Sequence, residues 1–141
     1  MRKVQFLLRK AIPFIIILAV IYFLPIGGIS DASLITMEGV ASWYSERSPG
    51  VKDRTANMEK FDHDLMTCAM WGVPFGSIVE VTNLGNGKKI IVRVNDRGPA
   101  KRLVEKGRII DLTMAAFRKI GHLEKGLIRV RLRVVKIPSN S

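Results

Sequence analysis

The 141-residue chain is poor in the residues that staple or metallate a small domain: it has one cysteine, Cys68, and two histidines, His63 and His122. A lone thiol excludes an intrachain disulfide, and without a cysteine cluster or a histidine at ligand spacing no structural zinc site is expected. The core must therefore be held by packing alone, and Cys68, between Thr67 and Ala69 in an apolar stretch, reads as a small buried residue. No internal repeat and no low-complexity tract is present. Long apolar runs are missing too, with a single exception near the start.

That exception, AIPFIIILAVIYFLPIGGI at 11–29, carries no charge for 19 positions and follows Arg2, Lys3, Arg9 and Lys10. It approaches the roughly 20 residues needed to cross a bilayer, and its basic flank predicts a cytoplasmic N-terminus with the remainder exported. Residues 1–30 serve either as a cleaved signal peptide, cut near Ser30 or Ala32, or as a membrane anchor through 11–29. No cysteine lies near the end of the run, so lipid attachment is not expected. Acidic residues are absent from this segment. Of 23 Lys and Arg, 19 follow the run together with all 12 Asp and Glu, leaving the exported part at about +7. Such a domain suits anionic polymers or headgroups of the cell envelope, with nucleic acid excluded as partner by the compartment.

Residues 31–37 read as a linker, 38–137 as one domain and 138–141 as a frayed tail. Strict alternation marks strands at 77–83 (SIVEVTN), 88–95 (KKIIVRVN) and 127–135 (LIRVRLRVV), with 39–44 (GVASWY) and 108–112 (RIIDL) as further candidates. LGNG at 84–87 supplies a hairpin turn, and SERSPGVK at 45–52 a loop. One short helix is predicted from a cap at Asp111 or Thr113 through MAAFRKI to Gly121, with Met114, Phe117 and Ile120 on one face. Many brief strands and one helix in about 100 residues predict a small barrel.

The stretch NDRGP at 95–99 ends the second strong strand. Asn, Asp, Gly and Pro all favour turns, so spacing alone leaves a turn and a reactive carboxylate both open. The chain as a whole, however, carries GVASWY, TANMEKFD at 55–62, VPFGSIVEVTNLGNGKKIIVRVNDRGP at 73–99 and GRIIDLTMAAFRKIG at 107–121, and in this order it resembles the rare lipoprotein A family. The resemblance covers nearly all of the exported part. It implies a mainly β fold, a six-stranded double-psi β-barrel with one short helix behind the N-terminal signal or transmembrane segment. It also implies endolytic lytic transglycosylase activity on peptide-stripped peptidoglycan strands, at the cell envelope, by a monomer without cofactor or metal.

By the same resemblance Asp96 is the catalytic acid and base. One carboxyl suffices because the muramic acid 6-hydroxyl closes on the anomeric carbon in place of the nucleophile that ordinary hydrolysis requires. Asn95 and Arg97 are expected to orient Asp96 or the sugar, and Glu59, after the TAN motif, is a second acid or substrate-binding candidate. The family's groove histidine corresponds here to Met70, whose thioether cannot shuttle protons. Replacing Met70 by His is therefore expected to raise activity, and Trp71 beside it offers a face for a sugar. The lack of a repeat domain after the barrel leaves septal targeting to another element. Two other readings stand beside the enzyme: a non-catalytic, expansin-like glycan binder or loosener, and a membrane-tethered scaffold.

Overall fold

A computed structural model describes residues 35–139; the predicted signal or anchor segment lies outside them. The described part is built on six strands: β1 (Thr36–Tyr44), β2 (Thr67–Ala69), β3 (Ile78–Asn83), β4 (Lys89–Asp96), β5 (Arg108–Thr113) and β6 (Ile128–Lys136). Helix α1 (Lys101–Val104) precedes β5, helix α2 (Met114–Ile120) follows it, and a 3-10 turn at Leu123–Lys125 leads into β6. The strands close into a barrel in the order β1-β5-β2-β4-β3-β6. Two pairs, β1 with β5 and β2 with β4, are parallel, while the other neighbours are antiparallel. This is a six-stranded double-psi barrel, and closure leaves no strand edge free to pair with another chain.

Alternation in sequence becomes alternation in space. Val79 and Val81 of β3, Ile90, Val92 and Val94 of β4, and Ile128, Val130, Leu132 and Val134 of β6 all point inward and are buried. Between the inward residues of β6, Arg129, Arg131 and Arg133 stay in water. Helix α2 caps the barrel with Ala116, Phe117 and Ile120, each fully buried. Each large apolar side chain so enclosed contributes about 1.5–3 kcal/mol. Cys68 is buried in the same core. The hairpin turn between β3 and β4 has Gly87 at φ +73°, and Asn83 Nδ2 donates to Ile120 O at 2.7 Å, tying the turn to α2.

Three local features differ from the expectation. The central strand β2 has only three residues, all buried, too few to display a period. Helix α1 is a second short helix, where the sequence predicted one. Asp111 does not cap α2; it sits within β5, and Thr113 occupies the cap position while its Oγ1 donates to Leu65 O at 2.6 Å.

Register slips by one residue at three places, and each places an extra residue in one strand of a pair: Ile109 in β5, Asn95 in β4 and Val135 in β6. The first slip brings the backbone of β1 hard against the loop before β5. A Cβ on Gly39 would lie 2.8 Å from Gly107 O and 2.8 Å from Ile109 Cγ2, and Val40 N donates to that same Gly107 O at 2.9 Å. Gly39→Ala is therefore expected to pry β1 from β5 and to destabilise the barrel by about 1–3 kcal/mol, the usual range for forced overpacking. Chemical denaturation of the two proteins measures it.

Candidate functional site: a carboxylate-lined cleft

A cleft of about 880 Å³ opens where the ends of β1, β2 and β4 meet the start of β5, roofed by the loop after β1 and by α1. Its walls carry two carboxylates, Asp96 and Asp111, together with Tyr44, Ala69, Arg97 and Gly98. Pairing explains how they meet. Ala69 of β2 lies opposite Asp96 on one side and opposite Asp111 on the other, and Asp111 in turn lies opposite Ser42 of β1. Without the extra residue in β4, Asn95 and not Asp96 would stand beside Ala69. The bulge thus re-aims the last residue of β4, a common use of such irregularities beside functional sites.

Each carboxylate is held by one oxygen. Asp96 Oδ1 accepts from the backbone N–H of Ala56 at 2.9 Å and of Arg97 at 2.8 Å. Asp111 Oδ1 accepts from Ser42 Oγ at 2.6 Å and from Arg108 Nε at 2.9 Å, and the Arg108 guanidinium also donates to Ser42 Oγ. In both residues Oδ2 makes no hydrogen bond among the described residues. The phenol of Tyr44, stacked on Phe61 at 4.9 Å, is buried without a hydrogen-bond partner. Burial first, then the charge of Asp96, with smaller contributions from Cys68 and Asp111, pushes the phenol upward, so it stays a neutral donor.

Of the six residues singled out in the sequence, Asp96 and Arg97 line the cleft. The Arg97 guanidinium donates to Met70 O at 2.9 Å and lies 3.7 Å over the Phe75 ring, so the residue both borders the cleft and braces the segment after Cys68. The other four face elsewhere. Asn95, the extra residue of β4, is buried, and its Nδ2 donates to Glu59 Oε2 at 3.1 Å. Trp71 is half exposed, with Nε1 donating to Pro99 O at 2.7 Å, and steadies the cis Gly98–Pro99 turn from outside. The Met70 side chain is 1 % exposed and belongs to the hydrophobic core, so no imidazole placed there would reach the cleft without moving the chain. Among the described residues no histidine lines the cleft; His63 is paired with Glu46.

Glu59 is not an acid in waiting. It accepts from both Arg93 Nη1 (2.7 Å) and Arg93 Nη2 (2.9 Å), and from Asn57 Nδ2 at 2.7 Å. The Arg93 hydrogen bonds, then those of Asn95 and Asn57, hold its carboxyl at about 2, well below the ordinary 4.5. It is a fixed anion that pins the TAN loop to β4, and that loop delivers the Ala56 N–H to Asp96. Sequence reasoning missed Asp111, Ser42, Arg108 and Tyr44. The signal lay in RIIDL itself, because inward Ile110 and Leu112 force the intervening Asp111 to the outer face.

These features define a double-psi barrel with an open cleft that holds two carboxylates among basic walls. The chain belongs to the lytic transglycolase family of double-psi barrels, whose model matches residues 36–132, and within it to the rare lipoprotein A-like members. It is 47 % identical over 103 residues to the endolytic peptidoglycan transglycosylase RlpA of Pseudomonas aeruginosa (strain UCBPP-PA14), a match covering 73 % of this chain and 28 % of that protein. Among solved structures, Streptomyces papain inhibitor superposes with a TM-score of 0.57 at 25 % identity, over 74 % of this chain and 97 % of that one. The expansin of Clavibacter michiganensis superposes with a TM-score of 0.56 at 24 % identity, over 75 % of this chain and 53 % of that one. The chain spans 28 % of the length of the P. aeruginosa relative.

Two outcomes follow from the geometry. Because the Glu59 carboxyl is depressed in the folded state, its pair with Arg93 stabilises the protein above about pH 4.5 and that contribution is lost as pH falls toward 2. Glu59→Gln should lower the thermal midpoint most above pH 5, with the gap to wild type narrowing toward pH 2–3 in thermal scans across that range. Met70→His, contrary to the gain expected from sequence, should cost about 1–3 kcal/mol by burying an unpaired polar ring, with no rise in glycan turnover. Denaturant titration and product formation on the same samples check both halves.

Proposed function

We propose that the protein is an exported, monomeric lytic transglycosylase of the cell envelope that cleaves MurNAc–GlcNAc bonds of peptide-stripped peptidoglycan strands and leaves 1,6-anhydro-MurNAc ends. One observation carries this reading: Asp96, at the end of β4, is anchored by two backbone N–H groups through Oδ1 and presents an unpaired Oδ2 to the cleft. Family membership and the transglycosylase activity of the P. aeruginosa relative support it, as does the basic net charge, which favours an anionic polymer. The charge-free run at 11–29 supports export, with or without retention as an inner-membrane anchor.

The proposed mechanism runs through the form of Asp96 that carries a proton. Since Oδ1 already faces two donors, the proton sits on Oδ2. It passes to the glycosidic oxygen as the C1–O4 bond breaks, and the same oxygen then takes the proton of the muramic acid 6-hydroxyl as O6 bonds to C1. No water is added, and Asp96 ends as it started. A second reading, a non-catalytic expansin-like glycan binder, is favoured by one feature, the absence of an imidazole from the described cleft walls.

Mass spectrometry of denuded glycan strands incubated with the full chain separates the two. The proposal expects anhydro products from wild type and, because general acid–base help contributes about 10²–10⁴ in rate, a loss of that order in Asp96→Asn with glycan binding retained. Products carrying an added water, or turnover unaffected in Asp96→Asn, would contradict it.

A further inference from the structure

The proposed reaction needs one carboxyl, yet the cleft holds two, and the second is not an idle neighbour. We infer that Asp111 is a further catalytic residue: its free Oδ2 faces the reacting sugar and stabilises the positive charge that builds at the anomeric carbon while Asp96 moves the proton. This assignment rests on the lytic-transglycosylase reading of the cleft.

Three observations carry it. Asp111 stands in a row with Ser42 and Ala69 across β1, β5 and β2, and the bulge in β4 adds Asp96 to the far end of that row. The two aspartates are therefore separated by two strand spacings, roughly 10 Å between backbones, with only the small Ala69 between them. Second, Ser42 and Arg108 both donate to Oδ1, which makes Asp111 an anion held by an ion pair and leaves Oδ2 uncommitted. A carboxylate serving only to fix Arg108 would be better placed with both oxygens on the guanidinium, as Glu59 is on Arg93. Third, the side of Oδ2 is kept open by the absence of a side chain. A Cβ on Gly98 would lie 3.4 Å from Asp111 Oδ2 and 3.2 Å from Ala69 Cβ, so any larger residue in the NDRGP turn would cover that oxygen.

The chemistry gives the two carboxylates different tasks. Glycosidic cleavage passes through an oxocarbenium-like state, and ring closure by O6 removes the need for a covalent bond from the enzyme. Asp111 is already oriented by Ser42 and by its ion pair with Arg108, so it lowers the energy of that state without reorganising, the most effective form of electrostatic help. It exchanges no proton and forms no bond. Asp96 alone donates to O4 and accepts from O6.

The test compares wild type, Asp96→Asn, Asp111→Asn and Gly98→Ala, all as full chains, for kcat and KM on denuded glycan strands and for thermal midpoint. Asn at 111 keeps an oxygen for Ser42 and Arg108 but removes the charge. Asp111→Asn is expected to lose about 10²-fold in kcat, the scale of removing one preorganised electrostatic group, with KM near wild type. Gly98→Ala leaves the Ser42–Arg108–Asp111 contacts in place while crowding Oδ2, and is expected to lower kcat in the same direction. A folded Asp111→Asn with kcat within about threefold of wild type would overturn the assignment, since that ratio corresponds to well under 1 kcal/mol of transition-state stabilisation. Should Asp111→Asn fail to fold, Gly98→Ala decides: undiminished kcat there places the reacting carbon away from Oδ2 and overturns it equally. A wild-type chain releasing no anhydro product removes the reaction and the role of Asp111 with it, whereas an active wild type beside an unimpaired Asp111→Asn removes only that role.

Discussion

The extra residue in β4 is the constraint from which the site follows. A regular β4 would send Asp96 to the same face as Val92 and Val94, into an apolar core where a carboxylate has no partner. Inserting Asn95 between the register positions of Val94 and Asp96 turns the strand's end and sets the carboxylate beside Ala69. The extra residue must itself be accommodated. Its buried amide finds Glu59 for Nδ2 and leaves Oδ1 unpaired, a local cost tolerated where it fixes the direction of Asp96.

Keeping that bend in place requires a rigid neighbour, and the TAN loop supplies one. Arg93 precedes the bulge by two residues and grips Glu59 through both nitrogens of its planar fork, a geometry that lysine does not offer. Thr55 Oγ1 donates to Asn57 Oδ1 at 2.6 Å, Asn57 Nδ2 donates to Glu59, and Asn57 N donates to Asn95 O at 3.2 Å. The loop and the bulge therefore brace one another, and the loop's free N–H at Ala56 is left aimed at Asp96. On the other side Met70 N donates to Asp96 O at 3.2 Å, and Arg97 returns to Met70 O. The residues around the catalytic candidate act largely through the backbone, which is why so many of them lie outside the cleft they shape.

That division explains what the sequence disclosed and what it hid. Period-two alternation made β3, β4 and β6 plain, since one face of each strand is core and the other water. Strand β2 left no trace because three consecutive buried residues carry no period, although β2 stands at the centre of the site. The motif TAN-x-E drew attention to Glu59 as an acid, and only the nearby Arg93, 34 positions away in sequence, reveals an anion committed to structure. Met70 looked like a groove residue with the wrong side chain; it is a core residue whose backbone does the groove's work. Asp111 was legible as an outward residue of RIIDL, yet its proximity to Asp96 depends on a strand pairing that no local pattern encodes.

The electrostatics of the cleft then make sense as a division between fixed and free charge. Arg108 is committed to Asp111, and Arg97 is held by Met70 O and the Phe75 face. Lys52, Arg54 and Arg102 stand on the same walls and are exposed to solvent, where, under the proposed activity, they would attract an anionic strand over a screening length of roughly 8–10 Å. Attraction at the rim and charge stabilisation at the floor are opposite demands, and the barrel meets them with different elements. The loop after β1 and α1 carry these cations, while strands β4 and β5 carry the carboxylates, whose positions are fixed by register. Under the proposed activity, this separation lets the rim attract an anionic strand while the carboxylates at the floor keep the positions that strand register gives them.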